Sequence, residues 1–377
     1  MIEILRIAKD DRQHVKQFVE FPYRFYRTCP QWVPPLFTDA YLPLNPKKHP
    51  FYEHSQAEFF LAVQDEEVVG RIAALENKPF NQYHGLRDAE FYFFDSVDNP
   101  AVAAALFGAV FDWARERGLD RVLGPKGMSA FDGYGILVDG FAHRQMMTMM
   151  NYNYPYYSGL VEGQGFEKEV DFVSCFLEAE RFRMPERVAR IARRVIERGT
   201  LEVKTFASKS ELRKWAPRIG AAYNRAFVSN WEYYPLAQRE IDFVMDNIAL
   251  VADHRLIKII TAGDEVVGFL FCFPDVSAGL QRARGRLLPL GLFHLLREMR
   301  RARIVAGNGM GILPQYQGHG GNALLYYEMG KTVLGPHYRF EFAEMTQVAE
   351  TAVQMRADLK NLDGVEYKTH RVYRKVL

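Results

Sequence analysis

The run Gln317-Gly318-His319-Gly320-Gly321 sets small residues between an apolar stretch ending in Gly311-Ile312-Leu313 and a helical pattern through Ala323, Tyr326, Tyr327 and Met329. A tight glycine turn that opens a helix leaves several backbone N–H groups facing outward at the positive end of the helix dipole. Such a turn binds anions, and a pyrophosphate fits it. No Gly-Lys-Ser/Thr follows, which excludes a Walker loop. The lead-in Pro314-Gln315-Tyr316-Gln317 sets it apart from the G-x-G-x-x-G dinucleotide turn. The plain alternative is a strand-turn-helix whose glycines serve geometry alone.

The elements that must hold this turn occur twice. Ile2 to Ile7 alternates like a strand, and Asp10-Asp11-Arg12-Gln13 then opens a helix; Leu201 to Phe206 and Ser208-Lys209-Ser210-Glu211 repeat that order. Phe59 to Val63 and Val68 to Ala73 flank an acidic turn as a hairpin, as do Leu256 to Ile260 and Val266 to Phe271. Gly165-Phe166-Glu167-Lys168 leads into a strand over 170–177, and Gly364-Val365-Glu366-Tyr367 into one over 368–373. The spacing from Gly70 to Gly268 is 198 residues and from Gly165 to Gly364 it is 199, so one register holds across separate elements and marks an internal duplication. A helix opened by Pro185 and closed by Gly199 joins the copies, with the boundary near 180–200. The first copy passes from the strand Glu90 to Asp95 through Asn99-Pro100 into its helix with no glycine cluster, and Asp95 and Asp98 would repel a pyrophosphate.

Bulk properties fit two globular domains. The chain has 377 residues, a net charge of only +2 and an ordinary apolar fraction, so the whole molecule is not a polyanion binder. No run approaches the ~18–20 apolar residues of a membrane span. The N-terminus leads straight into an amphipathic segment, and Cys29, Cys175 and Cys272 are scattered without metal spacing. Reduced thiols, a cytoplasmic protein and no metal are expected. Two segments remain. A glycine-, methionine- and tyrosine-rich loop over 124–157 includes Asn151 and Tyr152 and reads as a wall for an acceptor or as packing against the other domain. The stretch 280–303 carries seven arginines and one acid around Leu287-Leu288-Pro289-Leu290-Gly291-Leu292-Phe293. It suits peripheral contact with the inner membrane face, the mouth of an acyl-chain tunnel, or a helix packed on its own domain with its arginines in water. No nucleic-acid motif accompanies the charge.

The glycine turn resembles the coenzyme A loop Gln/Arg-x-x-Gly-x-Gly/Ala of the GNAT acyltransferases: Gln317 takes the first position, Gly320 the second, and Asn322 stands where a third small residue is usual. The element order resembles the same superfamily over nearly the whole chain. The resemblance implies an α/β protein of two tandem GNAT-like domains, each a mixed, mostly antiparallel central sheet flanked by helices: 1–183 without the glycine loop, 184–377 with it. It implies acyl-CoA, acetyl-CoA or longer, held at Ile312, Leu313, Gln317, Gly318, His319, Gly320, Gly321, Asn322 and Ala323, with backbone N–H near Ile312 or Leu313 serving the thioester carbonyl. It places a base at Glu344, taken as the end of the strand after the turn, with Glu232 as second candidate and Asn230 and Trp231 beside the acceptor. The usual tyrosine acid on the following helix is missing here; Tyr373 or water would replace it. The function implied is transfer of an acyl group from CoA to an amine, with a bulky or lipidic acceptor favoured by the basic-apolar segment. The chain also looks somewhat similar to bacterial ceramide-synthase-type acyltransferases. The competing reading is a non-catalytic GNAT-fold binding or regulatory protein.

Overall fold

In chain order the elements are β1 (Ile2–Arg6), α1 (Arg12–Phe25), α2 (Phe37–Tyr41), β2 (Gln56–Gln64), β3 (Glu67–Glu76), α3 (Lys78–His84), β4 (Asp88–Ser96), α4 (Pro100–Arg115), β5 (Arg121–Gly124), β6 (Ile136–Asp139), α5 (Tyr157–Glu162) and β7 (Glu167–Glu178). Then come α6 (Glu186–Arg198), β8 (Glu202–Lys204), α7 (Lys209–Ala226), α8 (Gln238–Val251), β9 (Ile257–Ala262), β10 (Glu265–Pro274), α9 (Ser277–Ala283), α10 (Gly291–Arg301), β11 (Ile304–Ile312), α11 (Gly321–Val333), β12 (Phe342–Ala349), α12 (Val353–Asn361) and β13 (Val365–Val376). The computed structural model describes all residues except 9, 130, 131, 148, 229 and 232, and the side chains of 248–251 are likewise outside it.

Two compact units result. The first comprises Met1–Val173, Ser277–Leu295 and Lys368–Leu377; the second comprises Ser174–Val276 and Leu296–Tyr367. They differ from the contiguous halves 1–183 and 184–377. The last strand of each copy is divided between the units, and the 277–295 segment groups with the first.

Local chemistry explains the shared frame. Asp11 caps α1 by accepting from the N–H groups of Gln13 and His14, and Ser208 caps α7 by accepting from that of Glu211. The Glu211 carboxylate returns a bond to the Ala207 N–H, so two orphan donors are satisfied at that helix start. α6 begins after Pro185 and ends at Gly199, whose φ of 62° is the left-handed stop expected there.

In the first unit β1, β2, β3 and β4 pair antiparallel in that order, and β4 pairs parallel with β5. The 368–377 half of β13 completes this unit, antiparallel to β5 and β6, with Tyr373 opposite Gly124. Phe91, Leu106, Phe107, Val110, Tyr157 and Tyr373 form the core under α4. In the second unit β8, β9, β10 and β11 are antiparallel and β11 pairs parallel with β12. Each unit is therefore a mixed, mostly antiparallel sheet with helices against it. The 277–295 segment is tied down inside the first unit: Ser277 Oγ accepts from the Met147 N–H, the Gln281 amide donates to Pro30 and Trp32 carbonyls, and Phe37 N–H donates to Gly285 O. Met146, Met147 and Met150 are buried in the same unit, so this part of the aromatic loop is packed rather than open.

Candidate active site

The site in the second unit starts with two parallel strands that part. β11 pairs with β12 only over Ile304–Gly307 and Phe342–Met345, yet β11 runs on to Ile312 and β12 to Ala349. Beyond Gly307 the two backbones face a gap. A bulge in β11 accompanies the parting: Leu270 lies opposite Met310 and Cys272 opposite Gly307, and Gly309 takes up the extra residue at φ 110°.

Hydrogen-bond alternation decides which groups face that gap. The Leu313 N–H donates to Val267 O at 2.9 Å. Alternate residues of an antiparallel strand turn their N–H groups to the same neighbour, so Gly311 and Leu313 serve β10 while Met310 and Ile312 turn theirs to the open side. The expectation for Ile312 is compatible with this geometry. That for Leu313 is not, because its donor is spent on the sheet.

The strand then enters the glycine turn. Pro314–Tyr316 forms one 3-10 turn, and Gly320, at φ 86°, hands the chain to α11. Gly318 and Gly320 donate no backbone hydrogen bond among the described residues, and the first N–H groups of α11, from Gly321 to Ala323, have no acceptor inside the helix. These donors form a cradle that fits a pyrophosphate. A Cβ on Gly320 would lie 2.8 Å from Val195 and 2.9 Å from Ile191 of α6, so the turn is backed by that helix. Gln317 donates to the Ile312 carbonyl at 3.3 Å, and Gln317 and His319 are exposed at the rim. The Asn322 side-chain amide donates to Asp358 of α12 at 2.7 Å, which ties it to that helix.

Glu344 is 4% exposed and accepts a hydrogen bond from the Tyr367 hydroxyl. It stands opposite Ala306, one residue before the strands part. Since β12 continues to Ala349, Glu344 is near the start of its strand and not at the end expected from sequence. Burial, and then the Glu344 carboxylate, push the Tyr367 phenol well above its ordinary range, so it remains a donor to that carboxylate. Tyr367 escaped the sequence reading; the signal was a tyrosine on the alternating strand that follows Gly364.

Tyr373 does not occupy such a place. It lies six residues further along β13, in the core of the first unit, and donates to Glu162 at 2.9 Å. Burial and that carboxylate raise its pKa. The structure thus corrects Tyr373 as the acid: its half of the strand builds the other unit. Glu232 lies outside the described residues. Asn230 is exposed and Trp231 half-buried after α7 in the second unit. Asn151 and Tyr152 line a cleft of about 270 Å³ in the first unit, but the Asn151 amide serves the Gly133 and Gly135 carbonyls and the Tyr152 hydroxyl the Phe141 carbonyl. Their polar groups hold the loop's own shape.

No family model matches the chain. Bacterial ceramide synthase of Caulobacter vibrioides (strain NA1000 / CB15N) is 29% identical over 371 residues, covering 96% of this chain and 95% of that protein. Protein YghO of Escherichia coli (strain K12) is 24% identical over 375 residues, covering 97% and 93%. Among solved structures, a tandem GNAT protein from the clavulanic acid biosynthesis pathway matches with a TM-score of 0.59 at 11% identity, covering 100% of this chain and 98% of that one. The chain is a tandem GNAT-fold protein. In this GNAT frame the parted strands, the glycine turn and α11 are consecutive in the second unit, and Glu344 is beside the parting.

Proposed function

We propose that the chain transfers an acyl group from acyl-CoA to the amino group of a lipidic amine. The observation that supports this most is the gap between β11 and β12, which leads from the buried Glu344 to the open N–H groups of Gly318, Gly320 and α11. Acyl-CoA supplies a pyrophosphate for the cradle and a thioester for attack. The chain's own groups supply the rest. Met310 and Ile312 N–H offer donors to a developing oxyanion. Glu344 takes the proton from the attacking amine, and Tyr367 holds that carboxylate in place. The thiolate of CoA is a good leaving group, and water can protonate it.

The lipidic acceptor rests on the similarity to a ceramide synthase, a ceramide being an amide of a long-chain amine and a fatty acid, and on the surface at α10. Leu288 is 76%, Leu290 62% and Phe293 58% exposed, and Leu292 and Leu296 are exposed beside Arg297, Arg300 and Arg301. Exposed leucines among arginines suit the interface of an anionic membrane. Among the described residues no helix is long and apolar enough to cross a membrane.

The test is incubation of the purified protein with palmitoyl-CoA and a panel of sphingoid and other long-chain amines, with mass spectrometry for the amide and a thiol assay for released CoA. Amide formation at matching rates supports the proposal. Absence of amide with every amine, despite CoA binding, would favour the non-catalytic binding reading. Flotation with vesicles containing anionic lipid, lost when Leu288, Leu290 and Phe293 become serine, is expected for the membrane contact; unchanged flotation would remove it.

A further inference from the structure

The second unit contains a cleft that the transfer chemistry does not use. Leu270 and Cys272 of β10, Val305 and Gly307 of β11, Met345 of β12 and Met329 of α11 wall a narrow cleft of about 90 Å³. None of its lining residues is charged. Its one phenol, on Tyr326, lies 3.4 Å from the Met355 sulfur. With this lining, whatever enters the cleft must be almost wholly apolar.

We infer that this cleft houses the hydrocarbon chain of a long-chain acyl-CoA, an inference that rests on the acyl-CoA reading of the glycine turn. The cleft's place argues for it. Gly307 and Met345, two of its walls, are the last paired residues of β11 and β12. An acyl group entering between the parted strands from the glycine turn reaches this vertex with its chain still to be buried. At two points glycine lets a methionine close against the wall. A Cβ on Gly307 would lie 2.5 Å from the Met345 sulfur, and one on Gly330 would lie 2.8 Å from Met184 Cε. The methionines at 184, 329 and 345 give the wall side chains that can adjust to a flexible chain. At the far end Leu334 is 52% and Phe342 36% exposed, so the cleft is open there and does not impose a sharp length limit. The α10 surface is outside this lining, and an acyl tunnel mouth in 280–303 is not needed.

Each buried methylene adds roughly fourfold in affinity when fully desolvated. Calorimetric titration of the full chain with CoA, acetyl-CoA, octanoyl-CoA and lauroyl-CoA, all below their micelle concentrations, tests the inference. Affinity should rise at least tenfold from acetyl- to octanoyl-CoA and again to lauroyl-CoA. Val333→Trp, at the half-buried end of α11, and Met329→Trp each fill the cleft; with melting temperatures confirming the fold, either should erase the rise while CoA itself binds within about threefold of the parent. If CoA binds but chain length makes no difference, or if both folded variants keep the rise, the cleft is not the chain's site and the transferase reading stands. If neither CoA nor any acyl-CoA binds, the acyl-CoA reading falls and takes this one with it.

Discussion

The β4–α4 turn and the β11–α11 turn begin alike and end differently. In both, the strand bulges at one residue of positive φ, Phe93 at 51° and Gly309 at 110°, which lie 216 residues apart. Both strands close with the same bond, Val97 N–H to Val69 O and Leu313 N–H to Val267 O, again 216 apart on the donor side. From there the first unit reaches its helix in two residues and the second takes seven. In the short version the Asn99 side chain accepts from the Ala101 N–H, and Pro100 has no N–H to offer. In the long version glycines leave the donors open. Five residues and one cap thus separate a sealed helix start from an anion cradle on an otherwise repeated frame. Asp95, which occupies the place of Gly311, is held by Arg71 at 2.8 Å and by the Tyr26 hydroxyl, and is structural.

The comparison can be broken at several points. The largest effect should come from Glu344→Gln, with at least ~100-fold loss of kcat at unchanged CoA affinity, read by steady-state rates and titration. Retained turnover would move the base elsewhere. Next is acid sensitivity of the first unit. His370 is fully buried, its Nε2–H donates to the Asn151 carbonyl at 2.9 Å, and burial, with the nearby Lys368 charge, lowers its pKa to about 4. The unfolded chain takes up this proton below about pH 6.5 and the folded one only near 4, so stability is lost as pH falls across that window. The loss amounts to about 3 kcal/mol relative to His370→Gln, measured by denaturant unfolding at several pH values. Equal pH slopes for the two proteins would show that His370 is not the group.

Smaller effects separate the two turns themselves. Gly320→Val places a side chain against Val195 and Ile191 at a left-handed φ, and at least a tenfold loss of CoA affinity is expected by calorimetry. Asn99→Ala in the first unit should cost about 1 kcal/mol of stability and leave CoA affinity untouched. A change in CoA affinity there would mean that the short turn also meets the nucleotide.

The repeat and the fold class were legible because alternation, capping residues and turn glycines are local, and each copy states them separately. The glycine turn was legible for the same reason. Tyr367 and the wrong place given to Tyr373 show the limit: both alternate correctly on one strand, and only its tertiary partners decide which unit each half builds. The end of β12 was misjudged at Glu344 because Met345 to Ala349 lacks the apolar density that marks a strand. The apolar cleft was invisible because its walls come from β10, β11, β12, α11 and the 179–184 link, none of which is unusual alone.

The division of β13 has a consequence for the order of birth. A ribosome delivers a chain from its N-terminal side, and domains usually fold as they emerge. The first unit cannot do so completely, because β5 and β6 wait for residues 368–377, which follow every residue of the second unit. Until then the faces that Val372 and Tyr373 will cover are bare. Of the two units, the one begun earlier is completed only after every residue of the other has been made.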